Sequence, residues 1–268
     1  MPNIFRAPSP RAIESNAIWS SPTAWWRLPA WRTLAEAAGL YYELHGPEDA
    51  PPLILSSGLG GSASYWAPNL AALAADYRVL LYDHRGTGRS SRDLPPTTSV
   101  EDMAADVIAL MDALDIGEAS FIGHALGGMI GIETAIMTTR IDRLVVVNGW
   151  RTLDPHTARC FDVRLNLLRD SGPAAFLHAQ PLFLYPPDWI SAHDAELTEE
   201  EKRQLAHFPS AETIEKRIAA VRAYEPELID LTSTPAWLVI ATRDDMLVPL
   251  ASALDVATPV GWAKTHIF

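Results

Sequence analysis

Residues Gly123-His-Ala-Leu-Gly127 follow a short apolar stretch and precede a run suited to a helix. A glycine-x-nucleophile-x-glycine turn between strand and helix lifts its central side chain toward a substrate. Here the centre is Ala125, whose methyl group cannot attack, so position 125 is a nucleophile position without a nucleophile. Two other loops carry complementary parts. In "SSGLGGSASYW", after the apolar "PLIL", Gly58 and Gly60 let the backbone approach a substrate, and the Leu59 amide can face a developing oxyanion. The Leu126 amide, at the start of the helix after the turn, supplies a second donor. In "ATRDDMLVP", after "AWLVI", Asp245 stands four residues before Pro249, where an acid would orient a catalytic histidine.

The general base is the missing part. His266 is near the expected count, yet "TPVGWAKTHIF" contains no Gly-Gly-His. His124 packs behind such a turn and is a candidate substrate contact, as are His156 and Arg159, which open "HTARCF" and could equally lie on a solvated helix face. His84 sits in "DHRGTGRS", a segment whose glycines suit a tight turn and whose Arg85 can tie loops together. Cys160, the single cysteine, reads as a packed small residue with no assigned base beside it. His45, His178, His193 and His207 show no metal-ligand spacing, so neither a metal nor a cofactor is expected.

Composition narrows the partners. A net charge of -12 at pH 7 repels phosphate backbones and anionic lipid, leaving a small molecule as the expected partner rather than nucleic acid or membrane. One cysteine allows no internal disulfide and suits a reducing compartment, and no apolar run has the length of a signal peptide or a membrane span. The expectation is a soluble cytoplasmic protein. Oligomeric state is not legible.

The elements that must position these loops alternate. "LYYELHG", "PLILSSG", "YRVLLYD", "ASFIG", "LVVVN" and "AWLVIA" read as strands, several of them continuously apolar, as in a parallel sheet covered on both faces. Residues 99–115 read as a helix with Ser99 and Asp102 as its capping start. The expected fold is α/β, a mostly parallel doubly wound sheet. Residues 1–37, with scattered prolines and four tryptophans, read as a disordered leader or, alternatively, a docking segment. The core runs over 38–150 and resumes over 231–268. Residues 151–230 are helical only, with a capping start at Thr198–Glu201 and an apolar stripe of Ile214, Ile218 and Val221. Inserted after the sixth strand, they form a lid over the carboxyl ends of the sheet. "LASALDVA" is a helix, and the strand and helix that should close the sheet are expected to be missing.

The order of these loops resembles the α/β-hydrolase superfamily. "SGLGGSASYWAPNL", "YDHRGTGRS", "GHALGG", "VNGW", "HTARCFDVR", "QPLFLYPPDW", "LAHF" and "DDMLVP" resemble, more narrowly, the RutD family of pyrimidine degradation, from about Leu40 to about Ala257 and through the lid. That family likewise carries Gly-His-Ala-Leu-Gly. The resemblance implies hydrolysis of a small carbon–nitrogen compound, either carbamate to carbon dioxide and ammonia or aminoacrylate to malonic semialdehyde and ammonia. Two other readings stay open: a non-catalytic binding protein on the same fold, favoured by Ala125 and the absent histidine, and a conventional esterase, against which Ala125 argues directly.

Overall fold

The computed structural model describes residues 33–227 and 236–268. Eight strands form one sheet in the order β1-β2-β4-β3-β5-β6-β7-β8. They are β1 (Thr33–Ala37), β2 (Leu40–His45), β3 (Pro52–Ser56), β4 (Arg78–Tyr82), β5 (Ala119–His124), β6 (Ile141–Val147), β7 (Ala236–Ala241) and β8 (Lys264–Ile267). β1 pairs antiparallel with β2 and β2 with β4, whereas every neighbouring pair from β4 to β8 is parallel. The parallel strands need crossovers: helices α1 (Ala67–Leu73), α2 (Val100–Ala113), α3 (Leu126–Met137) and α8 (Leu250–Asp255) supply four, and the helical insertion between β6 and β7 supplies the fifth.

The crossovers lie on both faces, so the sheet is buried from two sides. Leu53, Leu55, Val79 and Leu81 face one side and pack with Trp66 and Leu70; Ile54, Leu80, Phe121, Leu144 and Val239 join the larger core on the other. This explains why β3 and β4 are continuously apolar. Helix α2 forms where expected, because Ser99 and Asp102 cap each other's backbone amides and Val100, Met103, Val107, Leu110 and Met111 turn one face inward.

Between β6 and β7 lie α4 (Pro155–Ala179), α5 (Pro181–Leu184), α6 (Pro187–Ala206) and α7 (Ala211–Ala223), the helical lid. Helix α4 kinks at Gly172, whose φ of 82° precedes Pro173.

Three expectations change. Lys264–Ile267, thought too weak for a strand, forms β8, parallel to β7 from Leu238↔Lys264 to Ala241↔Ile267. Four residues beside an existing strand need only ladder hydrogen bonds, so a polar, exposed "KTHI" suffices. No helix follows it among the described residues. Residues 33–37, assigned to the leader, form β1, whose partner β2 supplies pairing that no local period reveals; the rest of the leader and the lid boundary near 230 fall outside the described residues. Finally, Thr198 starts no helix but lies within α6, where intrahelical bonds already serve the backbone its side chain would cap.

Candidate active site

Helix α3 begins directly after β5, and the turn between them is Ala125, at φ 51° and ψ −117°. Such a backbone is costly for a residue with a Cβ and persists only where its surroundings enforce it. Here they do so through glycine. A Cβ on Gly123 would fall 2.1 Å from the Gly127 carbonyl oxygen, and one on Gly127 would fall 2.2 Å from that of Ser56. Both positions must be glycine for strand and helix to approach this closely. The Ala125 amide donates to the Val147 carbonyl, 3.0 Å away, which fastens the turn to the end of β6.

The glycine loop after β3 lies against this turn. A Cβ on Gly58 would contact Ala125 Cβ and His124 Nδ1, each at 3.4 Å. Neither the Leu59 amide nor the Leu126 amide has an acceptor among the described residues; Leu126 is the first residue of α3, where amides lack intrahelical partners. Gly60 is exposed and a Cβ there would meet nothing within 4 Å, whereas the neighbouring Gly61 is crowded by the segment after β4. At Gly61, at φ +66°, a Cβ would fall 2.6 Å from Thr87 Oγ1, and the Gly61 carbonyl accepts from Thr87 Oγ1 and the His84 amide.

Asp245 completes the rim. Its Oδ1 accepts from the amides of Leu247 (2.8 Å) and Val248 (2.7 Å). Burial raises its pKa, with those two amides and the Asn148 side chain pulling the other way. Asn148, at φ 42° after β6, also bonds Thr242 in both directions and so ties the β6 and β7 ends together. Tyr65 lies over the same rim: its ring stacks on His124 at 4.9 Å, and burial, then Tyr185 and Asp245, raise its pKa. His124 is held neutral, its pKa lowered to about 4 by burial, and its Nδ1 is buried without a partner.

The lid meets the rim through α4. His156 Nε2 donates to the Met246 carbonyl at 2.7 Å and Thr157 Oγ1 to the Leu247 carbonyl at 2.7 Å. Cys160 Sγ is 3.5 Å from that same His156 nitrogen. A nitrogen donating its proton to Met246 cannot take one from a thiol, and burial raises the Cys160 pKa. Cys160 is therefore no activated nucleophile.

Two candidates are not gathered in. Arg159 is exposed on α4, because the residues facing inward there are Cys160, Phe161 and Arg164. His266 lies within β8, exposed and packed edge-on against Phe268 at 4.5 Å, with no bond to Asp245 among the described residues. Among the described residues no group of three or more His, Cys, Asp or Glu is placed to hold a metal, and no helix is long and apolar enough to cross a membrane.

Sequence patterns match this geometry. The model of the alpha/beta hydrolase fold family matches residues 51–258. A relative from Stutzerimonas stutzeri, named "Putative carbamate hydrolase RutD", is 50% identical over 213 residues, which is 78% of this chain and 80% of that protein. One of the same name from Caulobacter is 49% identical over 223 residues, 82% of this chain and 83% of that protein. The chain belongs to the RutD family of α/β hydrolases. Among solved structures, the enol-lactonase of Burkholderia xenovorans superposes with a TM-score of 0.77 at 26% identity, covering 88% of this chain and 91% of that one. A hydrolase of Pseudomonas aeruginosa gives 0.74 at 27%, covering 89% and 90%. Like its RutD relatives, then, this chain is a hydrolase.

Sequence reasoning missed three participants. Asn148 could have been found as the polar residue ending an apolar strand. Tyr65 carries no local signal. Arg217 interrupts the apolar stripe of α7 between Ile214 and Val221, which is a signal, since a charge on a buried face needs a reason.

Proposed function

We propose that this chain hydrolyses a small carbon–nitrogen compound of pyrimidine catabolism, carbamate in the first place, by direct attack of water. The observation that carries the proposal is the turn at Ala125: a strained hydrolase elbow, retained beside two unpartnered backbone amides, with no nucleophile on it. A water molecule takes the space a serine hydroxyl would fill. Its oxygen bonds to the carboxyl carbon of carbamate while the amides of Leu59 and Leu126 hold the oxyanion that develops. Asp245 is the basic group of the rim, and its raised pKa makes it a better proton acceptor than a free carboxylate. One proton of the water passes by way of this group to the leaving nitrogen, the C–N bond breaks, and ammonia and bicarbonate depart. No acyl-enzyme forms.

Carbamate is favoured over aminoacrylate because attack on its carboxyl carbon places negative charge on oxygen, where two N–H donors can use it. Addition of water to an imine tautomer of aminoacrylate places the charge on nitrogen. The names of the RutD relatives support the same choice. Partial machinery is adequate for a labile substrate: oxyanion donors and binding alone retain roughly 10^3 to 10^4-fold over water.

The decisive measurement is ammonia release from carbamate, above the spontaneous rate, in protein carrying an α-hydroxy acid at position 59 or 126, which replaces the N–H with oxygen. Turnover is expected to fall about 100-fold at either position, and Asp245→Asn by a similar factor. Turnover indifferent to both backbone changes would defeat the mechanism. Release at only the spontaneous rate in the unmodified protein would favour the non-catalytic binding protein.

A further inference from the structure

Arg217 is wholly buried, on a helix of the lid, and among the described residues no carboxylate pairs with it. Its Nε donates to the Leu59 carbonyl at 3.1 Å and its Nη2 to His84 Nδ1 at 2.9 Å, while Nη1 is buried without a partner. Beyond it, His84 Nε2 meets Ser56 Oγ at 3.1 Å, and Ser56 Oγ meets the Tyr82 hydroxyl at 2.8 Å. Since Nδ1 accepts from arginine, the histidine carries its proton on Nε2 and donates it to Ser56. An uncompensated buried guanidinium is expensive, and methionine or leucine would fill an apolar helix face more cheaply.

We infer that Arg217 is a positioning residue: reaching down from the lid, it fixes the peptide planes of the glycine loop so that the Leu59 amide faces the substrate. The loop is then gripped from both sides. The segment after β4 holds Gly61 through the His84 amide and Thr87, and α7 holds Leu59 through Arg217. The lid and the oxyanion donor are thereby one mechanical unit, and the positive charge behind the loop polarises the Leu59–Gly60 peptide, whose N–H is that of Gly60. The low-dielectric surroundings that cost the charge its hydration, lowering its pKa to about 10, strengthen that polarisation.

This inference rests on the proposed role of Leu59, so its test has a readout independent of turnover. Arg217→Met keeps the length of the side chain and removes the donors. In this variant the amide resonances of Leu59 and Gly60 are expected to shift and broaden in nitrogen-15 spectra, and kcat to fall about 10- to 100-fold with KM little changed. Arg217→Lys, which can still reach the Leu59 carbonyl, recovers part of the loss. Arg222→Met, removing a surface ion pair of the same helix with Asp162, serves as the control and leaves kcat unaltered. Should Arg217→Met fail to fold, glycolic acid at position 60 turns the Leu59 carbonyl into a weaker ester acceptor without touching Arg217, and the same shifts and the same fall in kcat are expected. Unmoved Leu59 and Gly60 resonances, or a kcat equal to that of the control, overturn the inference. If the unmodified protein shows no turnover, the hydrolytic reading fails on its own, while the resonances still decide whether Arg217 sets the loop.

Discussion

At the scale of the residue, the glycines of the two site loops are not interchangeable. Gly127 is a point of contact between α3 and the end of β3, where a methyl would press into the Ser56 carbonyl. Gly60 lies in open space. Gly127→Ala is therefore expected to cost about 3 kcal/mol or more in urea unfolding, and Gly60→Ala to stay within about 0.5 kcal/mol of the parent protein. Both residues stood in recognisable motifs. Only the packing tells which of them is obligatory.

At the scale of the element, the attachment of the lid to the β7 loop runs through Thr157. Its hydroxyl donates to the Leu247 carbonyl, and the amide of that same residue holds Asp245. Thr157→Val preserves shape and leaves the carbonyl without its donor, so a loss of about 1 to 3 kcal/mol is expected in thermal unfolding, with faster proteolysis of the lid. An unchanged melting temperature would mean that the His156 bond to the Met246 carbonyl and apolar contact hold α4 without Thr157. Elements whose signal is local were legible: α2 from its capping pair and apolar face, the parallel strands from their apolar runs. β1 and β8 were not, because each exists through pairing with a neighbour far better defined than itself. The capping pattern at Thr198 misled for the converse reason, since a local motif yields to a helix that already runs through it.

At the scale of the molecule, two histidines are held neutral, His84 buried and His124 half-buried. The pKa of His84 is lowered well below 6.5 by burial and then by Arg217, and that of His124 to about 4 by burial. Unfolded, each binds a proton near pH 6.5, so as pH falls below that value the unfolded chain takes up protons the folded one refuses. Their contribution to stability is complete above about pH 6.5 and is lost on descent toward pH 4. Chemical denaturation at pH 7 and pH 5 is expected to show the loss, and His124→Phe, which keeps a ring against Tyr65, to reduce it. An equal loss in that variant would place the acid sensitivity elsewhere.

The alternation of strands and helices from β2 to β7, the three loops that carry the candidate site and the absence of a nucleophile at position 125 were legible in the sequence alone. Hydrophobic runs and glycine spacing act over a few residues, and an alanine has no hydroxyl in any fold. What only the tertiary structure decided is which groups meet: that Arg217 grips Leu59, that Asn148 ties the ends of β6 and β7 together, that His156 serves a carbonyl and that Arg159 faces solvent. These contacts join residues far apart in the chain. Their strength comes from burial, which is a property of the packed molecule and of no segment within it.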